Sequence, residues 1–237
     1  MINAQNELKI RQDLADLYHV MAYFKWDDLI YTHSSARIPG TNQFLINSFG
    51  TLFSEVTADN LIKLEIDATI NETVNLAGFT IHNAIYKVRP DVNYIMHTHT
   101  KEGIAVSANR KGLLPISQYS AFVLNSLAYH EYNGMVLDNE EEVAIQNSLG
   151  NKNYLIMRNH GLLTVSTTVD RAFKFMYNLQ KACEVQVLTN TDDCVFINDS
   201  VLLGTTTKVQ QFSKASPHIE LGWEAAKKLS IISKQNK

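Results

Sequence analysis

Three of the eight histidines in this 237-residue chain have a spacing that suits a shared metal ion. His97 and His99 are separated by one residue and follow the apolar residues 94–96. In a β-strand, residues two apart point to the same face, so both imidazoles would lie on one side of a sheet. His160 follows a second apolar run, and Gly161 behind it allows the backbone to turn sharply.

Three imidazoles that converge on one point would bind a divalent metal ion. Zn²⁺ held by three protein nitrogens keeps one position open for water or substrate, and Fe, Mn or Co are further candidates. The alternative is that His97 and His99 are ordinary strand residues with no common ligand, because a His-X-His pair is a weak motif by itself. Spacing alone leaves both interpretations open.

The elements that must position these histidines are predicted from apolar periodicity. Helices are predicted at about residues 8–24, 79–88, 102–108, 139–149, 169–188 and 218–233. Strands are predicted at residues 29–32, 44–46, 61–66, 94–96, 121–124, 127–129, 153–157 and 162–165, with a hairpin loop at residues 40–42. Strands in the middle with helices at both ends indicate an α/β sandwich with a mixed or largely antiparallel sheet.

The chain shows no internal repeat and no Pro/Gly/Ser-rich linker. We therefore expect a single domain over residues 1–237, with a core at about 8–200 and a C-terminal helical segment at about 205–237. A domain of this size buries about 70% of the surface that its unfolded chain exposes, so it needs no disulfide or structural metal to fold.

Charge and hydropathy exclude several classes of partner. With 21 basic and 24 acidic residues the net charge is −3, so the chain lacks the excess of positive charge that is typical of a nucleic-acid-binding protein. No apolar run approaches the roughly 20 residues that span a bilayer, so no membrane partner is expected. The polar N-terminus lacks the apolar region of a secretory signal, which indicates a cytoplasmic protein. Cys183 and Cys194 have neither metal-site nor disulfide spacing.

The segments around the three histidines resemble the metal-site motifs of the class II aldolase/adducin family. Residues 82–100, HNAIYKVRPDVNYIMHTHT, resemble the segment that carries the first two ligands, and residues 158–163, RNHGLL, resemble the segment of the third. Residues 53–57 and 113–117 are similar to the family as well. The resemblance covers roughly residues 8–200.

The resemblance implies a three-layer α/β/α class II aldolase-like fold with a central mixed, largely antiparallel sheet. It also implies a homotetramer with active sites at the subunit interfaces. The divalent metal, usually Zn, would be bound by His97, His99 and His160. In family enzymes this metal acts as a Lewis acid that stabilises an enediolate while a carbon–carbon bond breaks or forms.

This chain departs from the family aldolases at the positions of the base and the phosphate pocket. The aldolases have a glutamate four residues before the position of His82, and this chain has Gly78 there. The phosphate-pocket positions are occupied by Leu76-Ala77, Thr32-His33 and Phe49-Gly50. Most hydroxyl donors are therefore absent, and apolar groups cannot replace hydrogen bonds to a dianion. A phosphorylated sugar is not the expected substrate.

Three other residues are candidates for catalysis. Tyr119 matches the position where the family's sugar-phosphate aldolases have a tyrosine that donates a proton and reaches into the active site of a neighbouring subunit. The alternative is that Tyr119 is an aromatic residue buried at an interface. Glu102 follows His99 by three residues and could accept a proton from a metal-bound hydroxyl, whereas the alternative is a capping or solvated side chain. His33 replaces a residue of the substrate loop, and a histidine in water titrates near neutral pH, which suits proton transfer; the alternative is a structural histidine.

The sequence thus predicts a metal-dependent carbon–carbon lyase of the class II aldolase type. Its substrate would be a small, non-phosphorylated hydroxy-carbonyl compound cleaved through a metal-stabilised enediolate. One alternative is an Fe(II)-dependent oxygenase or decarboxylase. Another is an adducin-like, non-catalytic assembly module with a residual metal site, because residues 77–79, the Thr32-His33 region and residues 128–130 have close counterparts in the adducin branch.

Overall fold

The computed structural model describes residues 4–70, 72–134, 139–205, 208 and 218–235. Its first half contains α1 (Ala4–Tyr23), β1 (His33–Ile38), β2 (Gln43–Ile46), β3 (Ile62–Glu65), α2 (Leu76–Val88), β4 (Tyr94–Thr98) and α3 (Lys101–Ala108). Its second half contains α4 (Gln118–Val123), β5 (Leu127–His130), α5 (Asn139–Leu149), β6 (Tyr154–Met157), β7 (Gly161–Ser166), α6 (Val169–Leu188) and α7 (His218–Gln235).

The seven strands form one sheet in the order β3-β2-β1-β4-β7-β6-β5. Only the pair β5–β6 is parallel, and every other neighbouring pair is antiparallel. The sheet is therefore mixed and largely antiparallel, as the sequence predicts. Strand β4 is central, between β1 and β7, and all five of its residues are buried.

Helices cover both faces of this sheet. Successive residues of β4 point to opposite sides, so Met96 joins one apolar cluster and Ile95 joins another. The first cluster contains residues of α1, α6 and α7, and the second contains residues of α2 and α5. This arrangement confirms the predicted three-layer α/β/α fold. Within the described residues, no helix combines the length and apolarity needed to cross a membrane.

Two of the predicted strands are wrong. Residues 29–32 form a turn before β1, because Leu29 adopts a left-handed backbone with a φ of 51° that does not continue a strand. Residues 121–124 belong mainly to α4. The side chain of Ser117 accepts a hydrogen bond from the backbone N–H of Ser120, and this N-cap starts a helix where a short apolar run alone is ambiguous.

The predicted C-terminal helix is confirmed as α7, with Trp223 and Ala226 buried in the core beside α1 and α6. The beginning of the predicted segment 205–237 lies largely outside the described residues.

Helix α1 holds the start of β1 through a buried tyrosine. The Tyr18 hydroxyl accepts a hydrogen bond from the backbone N–H of Ser34 at 2.8 Å and lies 2.7 Å from Oδ1 of Asn47. It also contacts the backbone carbonyl oxygen of Ser34. Burial raises the pKa of Tyr18, so the hydroxyl stays neutral. These contacts fix the residue that follows His33 in β1.

We expect Tyr18→Phe to lower the free energy of unfolding by about 1–3 kcal/mol, because buried polar groups on β1 lose their partner. Denaturant unfolding monitored by circular dichroism measures this change. Tyr31→Phe is the control, because the side chain of Tyr31 is 51% exposed. Equal stabilities of the two variants would contradict a structural role for the Tyr18 hydroxyl.

Candidate metal centre

The three predicted metal ligands come together at one end of β4. His97 is in β4, His99 lies one residue beyond its last residue, and His160 lies in the turn between β6 and β7. The Nε2 atom of His97 lies 2.8 Å from that of His99 and 3.3 Å from that of His160. The third Nε2–Nε2 distance, between His99 and His160, is 2.9 Å.

The β6–β7 turn brings His160 to this position through two backbone features. Asn159 adopts a left-handed conformation with a φ of 56°, which asparagine tolerates better than most residues. Gly161 begins β7, and a Cβ atom there would lie 2.3 Å from the backbone oxygen of Thr98. Glycine is thus required for the close approach of β7 to the end of β4, where His99 follows.

The surroundings of His97 determine which of its nitrogens can bind a metal. Its Nδ1 lies 3.0 Å from the backbone oxygen of Leu162, which can only accept a hydrogen bond. The proton of the neutral ring is therefore on Nδ1, and Nε2 presents a lone pair to His99 and His160. Burial, and then the neighbouring His99 and His160, lower the pKa of His97 well below its ordinary value.

His160 is also held in the neutral form that metal binding requires. Burial, and then the neighbouring His99, lower the pKa of His160 to about 4. His97 is fully buried, whereas His99 and His160 are partly exposed.

The cluster fits a divalent metal ion. In a tetrahedral site with metal–nitrogen distances of 2.0–2.1 Å, neighbouring ligand nitrogens lie about 3.3 Å apart. The observed Nε2–Nε2 distances of 2.8–3.3 Å come close to this value. Lone pairs this close repel each other unless a cation or a proton lies between them. Three converging imidazoles, of which His97 and His160 are kept neutral, are therefore a suitable ligand set for Zn²⁺ or a related ion.

His33 lies next to this cluster. His33 in β1 is paired directly opposite His97 in β4, and the centroids of the two rings lie 5.0 Å apart. Nδ1 of His33 lies 2.7 Å from Nε2 of His82 on α2, and both rings are buried. Burial, and then the neighbouring His82, lower the pKa of His33 well below its ordinary value, so His33 is neutral near pH 7.

His82 connects His33 to a buried hydrogen-bond network. Its Nδ1 contacts Oγ of Ser35, which lies 2.8 Å from the hydroxyl of Tyr86. Burial lowers the pKa of His82 to about 3, and burial raises the pKa of Tyr86. Because His82, Ser35 and Tyr86 are essentially buried, this network fixes the orientation of the His33 ring.

Gly78, in the first turn of α2, makes room for His33. A Cβ atom at position 78 would lie 2.7 Å from Cδ2 and 2.9 Å from Nε2 of His33. Both distances are shorter than real side chains allow. The imidazole of His33 therefore occupies the space into which any side chain at position 78 would extend.

The other two catalytic candidates lie against α6. Glu102, in the first turn of α3, accepts a hydrogen bond of 3.1 Å from the side chain of Gln180. Tyr119, in α4, packs against Tyr177 with ring centroids 6.3 Å apart. The described contacts of neither residue include the histidine cluster of the same chain.

Sequence reasoning missed a carboxylate next to the cluster. Oδ2 of Asp28 lies 3.1 Å from Nδ1 of His99, although the two residues are far apart in the chain. The pair Asp27-Asp28 in the sequence is an acidic loop like many others, so no local signal separates it from solvated surface charge.

His130, in contrast, belongs to a structural contact: its Nε2 lies 2.7 Å from Glu141 on α5.

The chain is similar to known proteins over most of its length. The family described as Class II Aldolase and Adducin N-terminal domain matches residues 12–187. A protein of Pseudomonas aeruginosa that is provisionally named an aldolase class 2 protein is 44% identical, with 97% of this chain and 91% of that protein covered. Alpha-adducin of Rattus norvegicus is 46% identical over 78% of this chain, which corresponds to 26% of that longer protein.

Solved structures show the same relationship. An aldolase II superfamily protein from Pseudomonas syringae has a TM-score of 0.91 and 40% identity, with 98% of this chain and 95% of that chain covered. L-fuculose 1-phosphate aldolase from Glaciozyma antarctica has a TM-score of 0.81 and 28% identity, with 98% and 90% covered. The motifs around His97, His99 and His160, the fold and these similarities together show that the chain belongs to the class II aldolase/adducin family.

Proposed function

We propose that this protein is a metal-dependent carbon–carbon lyase that cleaves or forms a small, non-phosphorylated hydroxy-carbonyl compound. The observation that carries the proposal is the convergence of three imidazole Nε2 atoms within 3.3 Å of one another at the end of β4. Zn²⁺ is the proposed ion, and Fe, Mn or Co would also suit imidazole ligands. Membership of a family that contains an L-fuculose 1-phosphate aldolase supports lyase chemistry.

His97, His99 and His160 would bind the ion, which supplies Lewis-acid stabilisation of negative charge on a carbonyl oxygen. The Leu162 carbonyl oxygen holds the His97 ring in the orientation that directs Nε2 towards the centre. His97 is buried, and the partial exposure of His99 and His160 would leave substrate a way to the ion. This division suits a small ligand.

Two features favour a substrate without a phosphate group. His33 fills the space beside Gly78, so a position expected in a phosphate pocket carries a buried imidazole that is already bonded to His82. The carboxylate of Asp28 lies next to His99 and would repel a phosphate dianion. A hydroxy-aldehyde, hydroxy-ketone or hydroxy-acid has no phosphate group that would need the space filled by His33 or would be repelled by Asp28.

Among the catalytic candidates, His33 is the one beside the cluster. We propose that His33 acts at the site, because its Nδ1 is held by His82 and its ring adjoins His97. Tyr119 would act on the site of a neighbouring subunit in the proposed homotetramer, with sites at subunit interfaces. Glu102 would have to exchange its contact with Gln180 for one with substrate. The cytoplasmic location expected from the sequence belongs to this proposal and rests on the sequence alone.

A second candidate function is an adducin-like assembly module that retains the metal site without catalysis. The 46% identity to alpha-adducin favours it, because this similarity is as high as that to the aldolase-named relative. An Fe(II)-dependent oxygenase or decarboxylase is a third candidate, since imidazole ligands with open positions also bind iron. The metal content separates these functions.

We expect the protein purified without added metal or affinity tag to contain about one Zn, Mn or Co ion per chain, by elemental analysis. His97→Ala should lose the ion, because it removes the buried ligand of the set. His218→Ala, which changes an exposed histidine of α7 that is not part of the cluster, is the control and should keep the ion. Iron in the wild type would favour the oxygenase, and an empty wild type after incubation with metals would favour the assembly module.

The lyase predicts retro-aldol turnover of non-phosphorylated hydroxy-carbonyl compounds without oxygen. We expect an anaerobic screen with coupled aldehyde detection to find a substrate that is cleaved at least 100-fold faster by wild type than by His97→Ala, and no comparable cleavage of sugar phosphates. Turnover that requires O₂ would contradict the lyase, and so would a preference for phosphorylated sugars.

Because His33 fills the space beside Gly78, the effect of Gly78→Ala on the free energy of unfolding should change sign when His33 is replaced by alanine. Gly78→Ala should lower the free energy of unfolding by about 1–3 kcal/mol, because its Cβ overlaps a fixed imidazole. In a His33→Ala background the same change should raise stability by about 0.5–1 kcal/mol, the usual gain of alanine over glycine in a helix. Denaturant unfolding measures all four proteins, and additive effects would contradict the steric contact.

A further inference from the structure

We propose that Asp28 is a positioning residue that orients His99 for metal binding. This inference rests on the proposed metal site, because it assigns a role to a residue that contacts one of the three ligands. Asp28 was not among the candidates from the sequence. It lies 71 positions from His99 in the chain, and only the fold brings the two side chains together.

The geometry defines what Asp28 does. Its Oδ2 lies 3.1 Å from Nδ1 of His99, while Nε2 of the same ring lies 2.8 and 2.9 Å from the Nε2 atoms of His97 and His160. An ionised carboxylate can only accept hydrogen bonds, so the ring proton must be on Nδ1. The lone pair of Nε2 is then directed at the centre of the cluster.

His97 has an equivalent arrangement, with the backbone oxygen of Leu162 in the place of the carboxylate. In two of the three proposed ligands, Nδ1 thus contacts a hydrogen-bond acceptor and the lone pair of Nε2 faces the other histidines. Such partners orient metal-binding imidazoles in proteins and commonly change metal affinity 10- to 100-fold when removed. The acceptor of His97 is main chain and cannot be removed by substitution, whereas that of His99 can.

The loop that carries Asp28 has a defined shape. Trp26 is buried and stacks on Phe24 at 5.0 Å, which anchors the chain directly after α1. Lys25 and Leu29 both adopt left-handed backbone conformations, with φ values of 56° and 51°, which are uncommon for such residues. The backbone N–H of Tyr31 then donates to the carbonyl oxygen of Asp28 at 2.9 Å.

These features explain how a carboxylate that is 46% exposed can have a fixed position. Unfavourable backbone conformations persist only where the surroundings impose them, and they concentrate at functional sites. Here two of them flank the one loop residue that contacts a metal ligand. The loop therefore holds Asp28 at His99.

The neighbouring residue provides a matched control. Asp27 carries the same charge, is exposed, and has no described contact with His99. Substitutions at the two positions change the net charge equally at nearly the same place. Any difference between them therefore reports the hydrogen bond to His99 and not the general electrostatic field.

The test is the Zn²⁺ affinity of the full-length protein, measured by competition with a chromophoric chelator. We expect Asp28→Ala to weaken Zn²⁺ binding at least tenfold, and Asp27→Ala to change it less than threefold. Asp28→Asn should recover most of the affinity, because its amide oxygen still accepts from Nδ1. Thermal unfolding of the metal-free proteins verifies that all of them fold. Equal affinities of Asp28→Ala and Asp27→Ala would overturn the proposal.

A second measurement separates this inference from the proposed function. If wild type binds no Zn²⁺, the proposed function fails, and nitrogen NMR of the ¹⁵N-labelled histidines in the metal-free protein then decides the inference. The His99 proton should be on Nδ1 in wild type and Asp27→Ala, and should redistribute to Nε2 in Asp28→Ala. An unchanged His99 spectrum in Asp28→Ala would overturn the role of Asp28.

Discussion

The structure depends on the close approach of three imidazole Nε2 atoms, which lie 2.8–3.3 Å from one another. The central strand β4 supplies two of them and the β6–β7 turn supplies the third. Gly161 allows these elements to approach, and the Leu162 carbonyl oxygen orients His97. Mutual repulsion of lone pairs makes this arrangement unfavourable by itself and favourable around a cation.

Beside this cluster, two departures from the aldolase pattern that the resemblance implies are coupled in the structure. The side-chain volume missing at Gly78 is occupied by His33, which is fixed by His82 and by the polar network behind it. The two positions therefore depend on each other, although 45 residues separate them. The three histidines of the proposed metal site are thus present together with altered residues beside them. This pattern fits the family, which includes both aldolases and adducins.

Most of the secondary structure could be predicted from the sequence, because long amphipathic helices and short apolar strands have distinct periods. Helices α2, α5, α6 and α7 and strands β2, β3, β4, β6 and β7 lie where the pattern places them. The errors occurred in short segments. Residues 121–124 have an apolar run that fits either type, and the Ser117 cap determines the outcome. Residues 29–32 form a turn because the left-handed backbone of Leu29 does not continue a strand.

The sequence by itself determined the family and the three metal-ligand candidates, because both reside in contiguous motifs whose spacing is visible in one dimension. Only the tertiary structure decided which residues surround them. The contact of Asp28 with His99 and the overlap of His33 with the space at Gly78 join distant segments. The tertiary structure likewise placed Glu102 against Gln180 and Tyr119 against Tyr177. The physical reason is that hydrogen bonds and steric contacts act over a few ångströms, and chain separation carries no information about such distances.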